Sequence, residues 1–224
     1  MTRVKAAING GRPAPAPITP QEIANDTRAV LAAGAFAVHV HPRDTNGRES
    51  LASEDVAKLP KGVGLTTGAW IAKDRVELIS RWTVLPAFAS VNFHEDEAID
   101  VAQILLARGV GIEAGLIGSR AAEIFMREGV RCIRILLEPQ EDTVEEALKN
   151  VEEIERVIKD SKLPRVLHGV DATAWPLLEE AARRGYDARI GFEDTLLLPD
   201  GSPAKSNAQL VETARSVIAR HRHD

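Results

Sequence analysis

The sequence predicts an α/β protein, a single-domain (β/α)8 TIM barrel over residues 1–224, and three observations predict it. Short β-rich runs alternate with longer amphipathic runs along the whole chain, the pattern of a parallel sheet with crossover helices. Eight strand runs can be counted, and eight favours closure over an open doubly wound sheet. No glycine-rich phosphate loop follows the first strand: Asn9-Gly10-Gly11-Arg12 lacks the glycine spacing of a dinucleotide site and runs into Pro13.

In chain order, strands are expected at 4–9, 35–41, 62–67, 88–94, 111–115, 131–138, 165–170 and 187–193. Helical stretches with charges on one face lie between them, at 20–33, 98–108, 144–159 and 174–184. Thr19 with Glu22, Thr143 with Glu146, and Ser206 with Gln209 have the spacing of a reciprocal cap, in which a hydroxyl serves the third helical amide and the later side chain reaches back. Apart from the βα unit itself there is no repeat, and the biased segment is the Pro/Ala-rich loop 13–20. The loop 195–205, after the last strand, suits either a lid or a solvated turn.

At 224 residues the chain would be a compact barrel, since such domains typically run to about 250 residues. Hydrophobic residues make up 44% and charged residues 27%, which allows a sizeable core and argues against disorder. A net charge of −5, with no Lys/Arg cluster, offers nothing to nucleic acid. The first residues lack the basic and apolar segments of a signal peptide, and no apolar run is long enough to span a membrane, so a cytoplasmic location is expected. Cys132 has no partner for a disulfide and lies in an apolar run, where a reduced structural thiol is expected.

Side chains alternate across a strand, which sorts the polar residues by direction. On the second strand Phe36, Val38 and Val40 should meet the helices, leaving Ala35, Ala37, His39 and His41 inside, with the histidines toward the C-terminal mouth where barrel enzymes react. On the eighth, Arg189, Gly191 and Glu193 point inward and Glu193 ends at the mouth. His39, His41 and Glu193 would then come from nearly adjacent strand ends, and two imidazoles with a carboxylate form the ligand set of a catalytic zinc site. Strand-end histidines can instead be satisfied by main-chain carbonyls, which is the expectation for His94 and His168. Other inward positions are Asn9, Thr66, Ser90, Asn92, Glu113 and Arg134, and the last two are candidates for mutual pairing. A purely structural barrel would fill these layers with branched apolar residues. Asp194 sits where the strand ends and could turn back as a base, and Arg189 needs a carboxylate to offset its burial.

These residues resemble the β-keto acid cleavage enzymes, a family of zinc-dependent barrels. The likeness rests on Asn9-Gly10-Gly11-Arg12, His39-Val40-His41-Pro42-Arg43-Asp44 with Gly47, Gly111-Ile112-Glu113-Ala114-Gly115, His168-Gly169 with Trp175, and Gly191-Phe192-Glu193-Asp194-Thr195 with Asp200-Gly201 and Ser206-Asn207. It implies one zinc ion per chain on His39, His41 and Glu193, and a retro-Claisen reaction of a β-keto acid with acetyl-CoA that yields acetoacetate and a new acyl-CoA. It further implies Asp194 as general base, Arg189 as the group that holds it, Glu113 in the active site, and Asn9, Thr66, Ser90 and Asn92 as substrate-binding positions, in a barrel that self-associates. Two other readings stay open. One is a metal-dependent hydrolase of the amidohydrolase kind, though its histidine pair belongs on a first strand and here Val4 to Asn9 precedes the pair; the other is a barrel that binds a metal without turnover.

Overall fold

The computed structural model describes residues 2–220. The eight strands, all parallel, close into one barrel in the order β1 to β8: β1 (Val4–Ala7), β2 (Ala37–Val40), β3 (Gly64–Leu65), β4 (Phe88–Asn92), β5 (Gly111–Leu116), β6 (Arg134–Leu137), β7 (Arg165–Leu167) and β8 (Asp187–Ile190). Around them run α1 (Pro20–Ala32), α2 (Ser53–Val56), α3 (Arg75–Ser80), α4 (Ala98–Ala107), α5 (Ser119–Glu128), α6 (Val144–Val157), α7 (Ala174–Arg184) and α8 (Asn207–Arg220). The order of elements is the expected one; β1, β4, β7 and β8 stop before the β-rich runs do, β8 three residues short of Glu193, while β2 and β6 start later than expected and β5 runs one residue further. None of the helices described is long and apolar enough to cross a membrane.

Helix α1 begins where its cap is encoded: Thr19 accepts from the Glu22 amide, the Glu22 carboxylate accepts from the Thr19 amide at 2.8 Å, and Pro20 supplies a pre-set first helical residue. Thr143 caps α6 through the Glu146 amide, but its hydroxyl also donates to the Glu146 carboxylate, so the reciprocal half is made side chain to side chain. Gln209 reaches back to the amide of Lys205, not to that of Ser206. The longer helices bury apolar stripes, for example Ile23 and Val30 of α1, Val101 and Leu105 of α4, and Leu210, Val211 and Val217 of α8. Each such side chain stabilises the fold by roughly 1.5–3 kcal/mol when fully buried.

Register places the interior. Lys5 lies beside Ala37 and Arg189, Ala7 beside His39, His39 beside Gly64, and Glu113 beside both Ser90 and Arg134. Gly64 leaves the space that the Phe88 ring fills at the barrel floor. Phe36 departs from the expected outward direction. It precedes β2, and its ring lies 4.1 Å from the Arg3 guanidinium and 5.2 Å from that of Arg134, below the barrel and away from the helix layer. Glu113 pairs with Lys5, both fully buried, and Arg134 Nε is a more distant partner at 3.4 Å. Loop 195–205 folds back on itself through the Leu197–Pro203 bridge, and Trp175 Nε1 donates to Leu197 O at 2.8 Å.

Candidate active site

The mouth of the barrel is built first by main chain. Beyond the end of β1, Asn9 takes the place of a strand partner for β2: its side-chain oxygen accepts from the His41 amide and its amide donates to His41 O, both at 2.9 Å. That fixes the backbone carrying His41 and leaves the Asn9 side chain committed. On the far side, β8 passes so close to β1 that a Cβ on Gly191 would fall 1.9 Å from Ala7 O. Glu193 N then donates to Ala7 O at 3.1 Å, and Gly10, at φ +52°, makes room for the Glu193 side chain, since a Cβ there would lie 2.5 Å from Glu193 Cγ. Asn207, the first residue of α8, accepts from Phe192 N at 2.6 Å and donates to Ile8 O at 2.7 Å, tying the ends of β8 and β1 together.

These constraints bring His39, His41 and Glu193 to one point. The two Nε2 atoms are 3.1 Å apart, and Glu193 Oε2 lies 3.7 Å from His39 Nε2 and 3.5 Å from His41 Nε2. Glu193 Oε2 and His39 Nδ1 are buried without a hydrogen-bond partner. Among the described residues this is the cluster of three metal-capable side chains, its ligand atoms all within 4.8 Å of one another. A buried carboxylate oxygen facing two imidazole nitrogens fits a divalent cation, which would satisfy all three donors at once.

The surroundings also fit. His41 Nδ1 meets Glu49 Oε1 at 2.5 Å, the carboxylate–histidine arrangement that fixes a metal-bound ring and its tautomer. Glu49 in turn accepts from Trp70 Nε1 at 3.2 Å, and the Trp70 ring stands over the cavity rim, 6.2 Å from that of His41. Burial holds the His39 pKa well below its ordinary value, so its lone pair is free. Burial opposes charge on His41 as well, but Glu193 and Glu49 outweigh it and lift that pKa to about 9: the site favours positive charge. Glu193 remains ionised well below the carboxylate range despite its burial, because Arg189, His41 and His39 surround it.

Arg189 is 4% exposed and bridges the two acids at the end of β8, donating to Glu193 Oε1 at 2.7 Å and to Asp194 Oδ1 at 2.5 Å. Burial works against its charge, and Asp194 and Glu193 more than restore it, raising its pKa. Asp194 is fully buried and is not among the residues lining the cavity. That cavity, about 280 Å³, is lined by His39, His41 and Glu193 and, on the next strands round the barrel, by Thr66, Ser90 and Asn92. His94, Glu138 and His168 complete its wall. Asn9 and Glu113 are not part of the wall: Asn9 supports β2, and Glu113 lies beside Lys5, with both side chains fully sealed from solvent. Glu49, Trp70 and Lys5 were not singled out by sequence reasoning. Lys5 shares the inward parity of Asn9, a usable signal; Glu49 depends on the tight Asp44–Gly47 turn that sets it antiparallel to Arg43.

Comparison with known proteins bears on the fold and on the family. Among solved structures the chain is similar to 3-dehydroquinate dehydratase from Geobacillus kaustophilus HTA426, with TM-score 0.63 and 11% identity over 100% of this chain and 92% of that one. It is similar to the Amycolatopsis orientalis BexX/CysO complex structure, with TM-score 0.58 and 17% identity over 99% and 89%. The N-acetylmannosamine-6-phosphate 2-epimerase of Clostridium perfringens gives TM-score 0.56 and 15% identity over 86% and 87%. Likeness at these identities is likeness of fold. A search of curated proteins gives no match. The family model for beta-keto acid cleavage enzyme matches residues 2–103 and 137–224, which include both histidines and the whole Arg189-to-Asp194 segment, and the chain belongs to that family.

Proposed function

We propose that the protein exchanges acyl groups between a β-keto acid and acetyl-CoA at a zinc ion held by His39, His41 and Glu193. The observation that carries this is the convergence of the two Nε2 atoms on a buried Glu193 oxygen with no other partner, in a chain of this family. In the reaction the C2–C3 bond of the keto acid breaks and C2 bonds to the acetyl carbon, giving acetoacetate, while the released acyl carbon takes the CoA sulfur. Zinc bound there would act as a Lewis acid on the keto oxygen. Arg189 holds Glu193 toward the histidines and fixes Asp194, the carboxylate of the proton-transfer step. Thr66, Ser90 and Asn92 offer hydroxyl and amide groups on the cavity wall beside the histidines, suited to orienting the substrate's own carboxylate. The histidine pair stands at the end of β2, His41 just beyond it, against the amidohydrolase alternative, which needs the pair on β1.

Elemental analysis of the wild type beside a His39→Ala/His41→Ala variant tests the reading. About one zinc per chain is expected in the first and none in the second, with the barrel still folded by circular dichroism. Metal-loaded wild type should then convert at least one member of a β-keto acid panel to acetoacetate only when acetyl-CoA is present. Equal metal content in both proteins would overturn the ligand assignment, and full loading with no turnover would favour a binding barrel.

A further inference from the structure

Arg12 ends the Asn9-Gly10-Gly11-Arg12 run and lies outside the cavity wall. The run turns back on itself, Arg12 N donating to Asn9 O at 3.2 Å, and the buried Arg43 guanidinium of the β2 loop donates to Gly10 O and, at 3.2 Å, to Arg12 O. With its main chain pinned there, Arg12 reaches across to the turn after β8. Its Nε donates to Glu193 O at 3.1 Å and its Nη2 to Asp194 O at 3.4 Å. Nη2 also donates to Asp171 Oδ1 at 2.6 Å, in the loop after β7. Asp171 is itself held in place: its φ is +47°, left-handed for a residue with a side chain, and its amide donates to Asp194 O at 2.7 Å. Gly169 lets that loop wind so tightly, since a Cβ there would lie 2.7 Å from Thr173 O. Stability does not explain the arrangement. The Arg12 and Asp171 side chains are 27% and 66% exposed, and ion pairs so open to water contribute little. The left-handed backbone at Asp171 costs free energy that a glycine would avoid. What the clasp does hold is the peptide that joins the metal-facing carboxylate to the proton-transfer carboxylate, beyond Ile190, the last residue of β8.

We infer that Arg12 is a positioning residue of the metal site: through the carbonyls of Glu193 and Asp194, and with Asp171 as its anchor, it sets how far the β8 carboxylate stands from the β2 histidines. The inference rests on the zinc site proposed above and deepens it. Arg189 grips the two carboxylates themselves, and Arg12 grips the main chain that carries them, so the turn is held from both ends. Arg43 completes the link back to β2, because it follows His41 by two residues and binds the loop from which Arg12 projects. The β2 and β8 halves of the ligand set are thereby tied through two guanidinium groups, and the ligand atoms take no part in the tie.

Cobalt(II) in place of zinc reads the ligand geometry directly, because the energy and intensity of its visible d–d bands follow coordination number and shape. Arg12→Ala should move those bands and weaken zinc binding about tenfold or more in competition with a chelating dye, while its thermal transition stays near that of wild type. Arg12→Lys keeps the charge but not the fork, so it should resemble Arg12→Ala. Asp171→Gly should shift the bands in the same direction and melt no lower than wild type, since it relieves the backbone as it frees the guanidinium. A wild-type cobalt spectrum with zinc affinity within about threefold in folded Arg12→Ala, Arg12→Lys or Asp171→Gly overturns the inference. So does an Arg12 variant that melts early with its spectrum unmoved, which would make Arg12 a residue of the fold alone. Should Arg12→Ala fail to fold, Arg12→Lys and Asp171→Gly carry the same readouts. Wild type that takes up neither zinc nor cobalt sinks the function proposed above and this inference with it, whereas loaded wild type indifferent to Arg12 sinks this inference alone.

Discussion

Glu49 reaches the site from eight residues beyond His41, after a turn in which Asp44 Oδ1 accepts from the amides of Asn46 and Arg48. Its contact with Nδ1 leaves His41 Nε2 to face the site, so Glu49→Gln should weaken zinc binding about 10–100-fold, the usual cost of losing an outer-shell carboxylate, with little effect on folding. Competition against a chelating dye reads this directly; wild-type affinity in the variant would show that Glu49 serves the loop and not the ring. Cys132 makes a simpler prediction. Burial pushes its thiol up to about 12, so at pH 8 it should react with a disulfide reagent only after denaturation, and prompt labelling of native protein would contradict its placement. The directions of His39 and His41 were open to parity along β2. Glu193 and Glu49 were not: β8 ends at Ile190, so Glu193 sits in the following turn, held by Ala7 O, and a turn residue has no period.

Elements show the same division between local and distant causes. The α1 start could be read from Thr19, Pro20 and Glu22 because every bond in it spans four residues or fewer. Strand β3 could not be bounded that way: it is only Gly64–Leu65, because Thr67 turns its hydroxyl to Ser90 O and Arg75 donates to Thr67 O, replacing ladder bonds with side-chain bonds from other elements. Helix α8 gives the sharpest test at this scale. Its first residue, Asn207, bonds Phe192 N, Ile8 O and the Asp26 carboxylate, joining β8, β1 and α1 just behind Glu193. Asn207→Ala should cost about 2–4 kcal/mol in urea unfolding, since it orphans two or more buried groups, and should also loosen metal binding by shifting Glu193. A loss under about 1 kcal/mol would mean that water replaces the amide without consequence.

For the whole molecule, the unusual feature is charge where a barrel commonly stacks aliphatic layers. Lys5 and Glu113 are both 0% exposed and paired, Arg189 is the β8 neighbour of Lys5, and Arg134 is the β6 neighbour of Glu113. Burial lowers the Lys5 pKa, Glu113 opposes that, and Arg189 and Arg134 push it lower still, so Glu113 is the group that keeps the barrel centre from holding unopposed cations. This places Glu113 beneath the cavity as a counter-charge, a role apart from contact with substrate. Removing one partner of a buried pair leaves an uncompensated charge, so Glu113→Leu or Lys5→Met should each lose about 3–5 kcal/mol. The Lys5→Met/Glu113→Leu double variant should lose less than either single change, because an apolar pair of similar volume has no desolvation to offset. Denaturant unfolding of the four proteins closes the cycle. If the double variant is stable, loads zinc and still turns over substrate, Glu113 holds the barrel together; if it is stable and zinc-loaded but inactive, the ion pair acts on the chemistry above it, through the field it sets beneath His39.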